Sequence, residues 1–223
     1  MNAAKAPLYE QVARIGKALS SPKRLELIEL LCQGEKSVEV LAEQAGIGVK
    51  LVSAHLKELR QAHLVHTRKD GKYVLYRLAA PDVADLWVSL RTTAQHHLAE
   101  LQVALASLLR NDHPLQDMDR AALLRASRAG DVVVLDVRPA EEFSAGHLPH
   151  ARSLPLAELK RRLHELNPEQ PIVAYCRGPF CLLARDAVAL LRRQGFQAHV
   201  LHDGVAEWRA HGLPVTSPTG ATP

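Results

Sequence analysis

Leu8, Val12, Ile15 and Leu19 recur every three or four positions, which lines one face of a helix over 8–19. Ser20-Ser21-Pro22 then reads as an N-cap followed by proline at the first helical position. The next helix carries Leu25, Ile28 and Cys32 and stops near Gly34. Ser37 opens a third, with Val38, Leu41 and Ala45 inward and Gly46 as its stop. Gly48 starts a fourth, whose apolar side is Leu51, Val52, Leu56 and Leu59. Over His66–Leu78 the period drops to two, and Asp70-Gly71 sits at the bend, which predicts a β-hairpin. Pro81 begins a long helix expected over Asp82–Arg110.

Asn111-Asp112-His113-Pro114 interrupts that pattern and reads as a linker. Beyond it, short continuous apolar runs at Val132–Val137, Pro171–Tyr175 and His199–Leu201 alternate with amphipathic stretches, notably Leu182–Gln194. Such alternation predicts a mainly parallel sheet with helices on both faces. The expectation is therefore two domains. Residues 1–112 are expected to form a mainly α winged helix-turn-helix domain. Residues 113–223 form an α/β domain with a mainly parallel sheet. The tail Ser217–Pro223 is expected to be disordered.

Length and composition permit this: 223 residues, 47% apolar, are enough for two small cores. A net charge of +4 says little about partners by itself, but its placement does. Between Ile47 and Leu78 lie Lys50, Lys57, Arg60, Arg68, Lys69, Lys72 and Arg77 against only Glu58 and Asp70. Three cysteines, Cys32, Cys176 and Cys181, argue against a secreted disulfide scaffold. The start, MNAAKAPLYEQ, lacks the apolar core of a signal peptide, and no apolar run is long enough for a membrane span. The expectation is a soluble protein of a reducing cytoplasm, with no membrane partner.

A helix, a tight glycine turn and a second, basic helix make a helix-turn-helix, whose second helix fits the major groove of double-stranded DNA. The residues placed to reach base edges are Val49, Lys50, Ser53, Ala54 and His55, with Lys57 and Arg60 placed for phosphates. The hairpin tip, Arg68, Lys69 and Lys72, would contact the flanking backbone as a wing. A solvated basic helix in some other interaction domain is the plainer alternative. Four features in order (helix, turn, basic helix, basic hairpin) favour DNA. The stretches ALSSPKRLELIELL, SVEVLAEQAGIGVKLVSAHLKELRQAHLV and HTRKDGKYVLYRL resemble the ArsR/SmtB family of winged-helix repressors. That resemblance implies a homodimer joined through the first and last helices of the module, a palindromic operator, and repression relieved by an inducer.

Many members of that family sense metals, and the long helix offers Asp82, Asp85, His96, His97 and Glu100. The family's zinc-type site pairs Asp-x-His with a later His-x-x-His/Glu. His97-x-x-Glu100 supplies the second half, but Asp85-x-Trp87 fails the first. Cys32 is a lone thiol on an apolar face and reads as core. No metal site and no cofactor is expected.

Cys176 ends an apolar strand and begins a short loop leading to a helix, where several backbone N–H groups converge beside a helix N-terminus. A thiol there loses its proton more easily, and Arg177 adds positive charge. The same cradle would hold a persulfide anion. The plainer reading of Cys176 is a small buried hydrophobe. The blocks VVVLDVRPAEEFSAGHLPHARSLPL, PIVAYCRGPFCLLARDAVALL and GFQAHVLHDGVAEWRAHGLPV, from Asp117 onward, resemble a single-domain rhodanese. The resemblance implies sulfur transfer at Cys176, a supporting role for Asp136 near the loop, and fold-defining roles for Glu142, Phe143, Gly146, His147 and Trp208. Three departures stand out. Cys181 occupies the sixth loop position, where many members carry Arg or a small hydroxyl residue. Pro149-His150 replaces a Pro-Gly, and His202-Asp203-Gly204 replaces a Gly-Gly turn; both read as surface variation.

Together these features point to a repressor that senses sulfane-sulfur small molecules. Cys176 would form a persulfide and be the most reactive thiol, and Cys181 would be its resolving partner. One alternative is a sulfurtransferase with an autoregulatory DNA-binding domain. The other is a metalloid- or oxidant-responsive regulator using the same cysteine pair.

Overall fold

The computed structural model describes residues 3–109 and 119–217. The expected linker Asn111–Pro114 and all of the expected disordered tail except Ser217 lie outside them. The chain divides into two compact units, residues 1–90 and 91–223.

The first unit contains α1 (Ala6–Leu19), α2 (Pro22–Leu31), β1 (Lys36–Ser37), α3 (Val38–Ala45), α4 (Val49–Gln61), β2 (Val65–Asp70) and β3 (Tyr73–Leu78). The start of α5 (Pro81–His97) also falls in it. Pro22 opens α2 behind Ser21, and the Ser37 hydroxyl accepts the Val40 N–H at the start of α3. Gly46 closes α3 with φ +63, a left-handed conformation that a β-carbon would strain. Leu27, Ile28, Leu41, Val52, Leu56, Leu59 and Val65 are fully buried and form the core. The hairpin is antiparallel with Asp70 opposite Tyr73, so Gly71 and Lys72 make a two-residue turn. Gly71 has φ +57, the position at which such turns demand glycine. The short β1 adds a third strand alongside β3. Leu51, expected inward on α4, is half exposed; Val52, Leu56 and Leu59 alone supply its buried stripe.

The helix expected to run unbroken over Asp82–Arg110 is divided. After α5 comes α6 (Ala99–Leu108), and between them Leu98 takes an extended conformation, φ −105, ψ 105. No glycine or proline marks the break. Gln102 satisfies exposed carbonyls there, its Nε2 donating to the carbonyl oxygen of Gln95 at 3.0 Å.

The second unit continues with α7 (Arg120–Ala129), β4 (Val133–Asp136), α8 (Ala140–Ala145), β5 (Arg152–Ser153) and α9 (Leu156–Leu159). It ends with β6 (Ile172–Tyr175), α10 (Leu183–Arg193), β7 (Ala198–Leu201) and α11 (Val205–Ala210). The sheet is parallel, in the order β5-β4-β6-β7. Alternation divides β4, β6 and β7 between two cores. Leu135, Ile172 and Ala174 pack with Leu159, Val188 and Leu191 on one face. Val134, Val173 and Tyr175 pack with Leu123, Val205 and Trp208 on the other. This is the expected α/β domain on a parallel sheet, and Cys176 leaves it at the carboxyl end of β6, which lies between β4 and β7.

Candidate functional sites

In the first unit α4 presents Lys50, Ser53, Ala54, Lys57 and Arg60 to solvent, with Val49 43% exposed and His55 half-buried. Leu51, at 49%, joins this surface. Its exposure was not legible because an apolar residue one position from a buried valine fits either side of a helical stripe. At the hairpin Lys69 and Lys72 are exposed, and Lys72 Nζ lies 5.2 Å from the Tyr73 ring. Arg68 is exposed but engaged: its Nε donates to Glu35 Oε2 at 2.7 Å, and Asp70 lies 3.4 Å away. These acids raise the Arg68 pKa, with Glu35 the larger cause. Arg77 lies 3.7 Å from the same Glu35.

In the second unit the loop between β6 and α10 holds both thiols. Cys176 is 2% exposed, Cys181 half-buried. The Cys176 thiol donates to the Cys181 carbonyl at 3.3 Å, and Cys181 N–H donates to the Gly178 carbonyl at 3.0 Å, which curls the loop. Backbone N–H groups of Gly178 and Ala184 reach Cys176, and those of Arg177 and Leu183 reach Cys181. Leu183 and Ala184 are the first residues of α10, so helix-start donors with no intrahelical acceptor face sulfur.

The two thiols shift each other's acidity in opposite directions. The Cys176 side chain is the largest influence on Cys181. Burial opposes it, but the amides and the Arg177 charge add to it, and the Cys181 pKa falls to about 6. Cys176 moves the other way, well above 9.0, through its coupling to Cys181 and its burial. The low-pKa, solvent-reaching thiol is therefore Cys181. The sequence placed both thiols in one loop, and the fold adds that Cys176 is the more deeply buried of the two.

Arg177 is not aimed at the thiols alone. Glu142, 1% exposed, accepts Arg177 Nη2 at 2.7 Å and Nε at 3.0 Å. Asp136 is fully buried and accepts the Arg138 backbone N–H at 3.0 Å and Nε at 2.9 Å, together with the Tyr175 hydroxyl. Burial, then Asp136, pushes the Tyr175 hydroxyl well above its usual pKa, so it stays a donor. Tyr175 in turn accepts the Leu148 N–H at 3.1 Å. Tyr175 immediately precedes Cys176, so Asp136 fixes the end of β6 from which the loop departs.

Gly204 lies beneath this loop. A β-carbon there would come within 2.5 Å of the Arg177 carbonyl oxygen and 2.8 Å of that of Cys176. The His202-Asp203-Gly204 turn is therefore not simple surface variation: Asp203 pairs with Arg120, and Gly204 is buried against the loop. His150, by contrast, is an exposed turn residue with φ +61, where glycine would be unstrained. Cys32 is buried at the end of α2. Among the described residues no three His, Cys, Asp or Glu cluster as a metal site, and no helix is long and apolar enough to cross a membrane.

Comparison with known proteins gives a separate match for each unit. The bacterial regulatory protein, arsR family, matches residues 21–67, and the rhodanese-like domain matches residues 119–211. The chain is 46% identical over 211 residues to the HTH-type transcriptional regulator Rv0324 of Mycobacterium tuberculosis, covering 95% of this chain and 92% of that protein. A sulfurtransferase of Allochromatium vinosum is 32% identical over 97 residues, 43% of this chain and 89% of that one. Among solved structures, the homodimeric winged helix-turn-helix DNA-binding domain Mb0332 (fragment 1–100) of Mycobacterium bovis is 40% identical. It covers 45% of this chain and 93% of its own, with a TM-score of 0.42.

Proposed function

Since the chain belongs to the ArsR family of winged-helix transcriptional regulators and carries a rhodanese-like domain, we propose that it is a repressor whose operator affinity is set by reactive sulfur species acting on Cys176 and Cys181. The observation that carries this reading is that both thiols sit in one amide-lined loop, the Cys176 thiol donating to the Cys181 carbonyl at 3.3 Å and the more accessible Cys181 lowered to a pKa of about 6.

The chemistry runs in three balanced steps. The Cys181 thiolate attacks the outer sulfur of a low-molecular-weight persulfide, RS–SH; the S–S bond breaks, RS⁻ leaves, and Cys181–S–SH forms. Cys176, losing its proton to solvent, takes that outer sulfur and becomes Cys176–S–SH while Cys181 leaves as thiolate. Cys181 then attacks the inner sulfur of Cys176–S–SH, forming the Cys176–Cys181 disulfide and releasing HS⁻. The persulfide donor is the oxidant throughout. Asp136 supports Cys176 through Tyr175, and Arg177 biases the pair toward the anion.

Val49, Lys50, Leu51, Ser53, Ala54 and His55 would face base edges, and Lys57, Arg60, Lys69 and Lys72 phosphates. Arg68 would serve the wing through its ion pair with Glu35 as much as through DNA. Exposed Leu8, Tyr9 and Val12 on α1 support a homodimer, since apolar side chains on one helix face call for a cover.

A sulfurtransferase reading is favoured by one observation, the Gly178 and Ala184 amides directed at Cys176, which would stabilise a persulfide in turnover. The test combines mass spectrometry and kinetics. After polysulfide, the loop peptide of wild type should be bridged, that of Cys176→Ser should stop at a persulfide on Cys181, and Cys181→Ser should react more slowly. Steady thiosulfate-to-cyanide turnover without bridging would favour the enzyme. Bridging by peroxide or blocking by arsenite, with no response to polysulfide, would favour an oxidant or metalloid sensor.

A further inference from the structure

Arg91, the first residue of the second compact unit, is 3% exposed, and its Nη2 donates to Glu207 Oε1, itself in a 3% exposed residue. A buried arginine of α5 has no part in the sulfur chemistry above, and its surroundings are the cysteine loop. The Arg91 guanidinium lies 5.6 Å from the Phe180 ring centroid. A β-carbon on Gly178, whose φ is +141, would sit 3.1 Å from Glu207 Oε2 and 3.3 Å from Arg91 Nη1. Gly178 therefore lets the loop backbone lie directly on the ion pair. Glu207 Oε2 also accepts the Gly204 N–H at 2.6 Å, and Gly204 supports the carbonyls of Cys176 and Arg177.

One buried charge pair thus touches, directly or through Gly204, Cys176, Arg177, Gly178 and Phe180. A bridge between Cys181 and Cys176 would strain the loop that carries Gly178 and Phe180, whose neighbours are a charge pair that cannot be left half-solvated without cost. Arg91 is also one helical turn beyond Trp87 and Val88 on the unbroken helix α5. We infer that Arg91 is a positioning residue that reads the redox state of the Cys176–Cys181 loop and passes it, through the Glu207 ion pair and the Phe180 contact, to helix α5. This rests on the loop's closing a bridge, as in the proposed function, but not on sulfur being its trigger.

Diamide, which takes two thiols to a disulfide and is itself reduced to the hydrazine, supplies the bridge independently of any sulfur donor. Amide hydrogen exchange of the 81–97 peptide should be measured in the full chain, reduced and diamide-treated, with loop bridging verified by mass. In wild type, bridging should change exchange of this peptide at least twofold. Arg91→Met combined with Glu207→Gln, which removes both charges together, should still bridge yet lose the change. Phe180→Ala, which leaves the ion pair intact, should at least halve it and covers the case in which the double variant fails to fold. An unaltered response in either folded variant, no response in wild type, or failure of the folded double variant to bridge would overturn the inference. A wild-type exchange response without operator release by polysulfide would leave Arg91's role standing and overturn the sulfur-sensing reading instead.

Discussion

Glu142 holds Arg177 by two hydrogen bonds, Nη2 to Oε1 at 2.7 Å and Nε to Oε2 at 3.0 Å, so the cation beside Cys176 is anchored to α8. Removing one partner of a buried pair strands the other charge, at a cost of about 3–5 kcal/mol. Glu142→Gln should destabilise the second unit by about that amount in urea unfolding, while Arg177→Lys, which keeps the charge but loses the fork, should cost less. Equal stability of wild type and Glu142→Gln would show that the pair is not structurally important.

The thiol pair gives a signed pH dependence. Cys181 has a folded pKa of about 6 against 9.0 for an ordinary thiol, so its contribution to stability grows from pH 6 to pH 9 and is lost as pH falls back through that window. Cys176 is raised above 9.0, so from about pH 9 upward the unfolded chain deprotonates first and stability declines. Denaturation midpoints against pH should rise to a maximum near 9 and then fall, and Cys181→Ser should flatten the rise. Alkylation at pH 7, read by mass, should label Cys181 first and Cys32 last. An inflection near 9 for Cys181 would contradict the lowering of its pKa by the loop.

Two glycines make opposite predictions. Gly204→Ala forces a β-carbon onto the Arg177 carbonyl at 2.5 Å, so about 1–3 kcal/mol should be lost and thiol reactivity altered. Gly16, inside α1, has nothing within 4 Å of its would-be β-carbon, and Gly16→Ala should gain about 0.5–1 kcal/mol. Thermal unfolding of the two variants should bracket wild type.

On DNA, Lys69→Ala with Lys72→Ala should weaken binding to all duplexes alike and flatten the salt dependence, by a log–log slope of roughly 0.9 per lost phosphate contact. Ser53→Ala and Leu51→Ala should instead erode discrimination at particular base pairs. Fluorescence anisotropy on specific and random duplexes at several salt concentrations separates the two classes. Uniform weakening by Leu51→Ala would remove it from the reading face.

Much of this architecture was legible because it is local. Alternation at Tyr73–Leu78, the Ser37 cap and the buried runs at Val133–Asp136 and Ile172–Tyr175 each report on residues a few positions apart. The two-residue strand β1 and the break at Leu98 carry too few residues to produce a period. In the site, Cys176 and Cys181 were evident from the strand-loop-helix context, but their partners were not. Glu142 is 35 positions from Arg177 and Arg91 is 116 from Glu207, and no sequence pattern joins residues that meet only through the tertiary fold. The lowering of the Cys181 pKa belongs to the same class: it depends on the nearby Cys176 side chain and on the amides of Arg177 and Leu183, which composition does not specify.

The central claim is that sulfur chemistry at the Cys176–Cys181 loop controls DNA binding, and operator affinity tests it most directly. Binding of the full chain to its own upstream DNA should be titrated by gel shift, with and without polysulfide, for wild type and Cys181→Ser. The account predicts at least a tenfold loss of affinity in polysulfide-treated wild type, recovery on reduction, and little change in Cys181→Ser. Unchanged affinity of wild type, with the loop peptide shown by mass to be bridged, would contradict it.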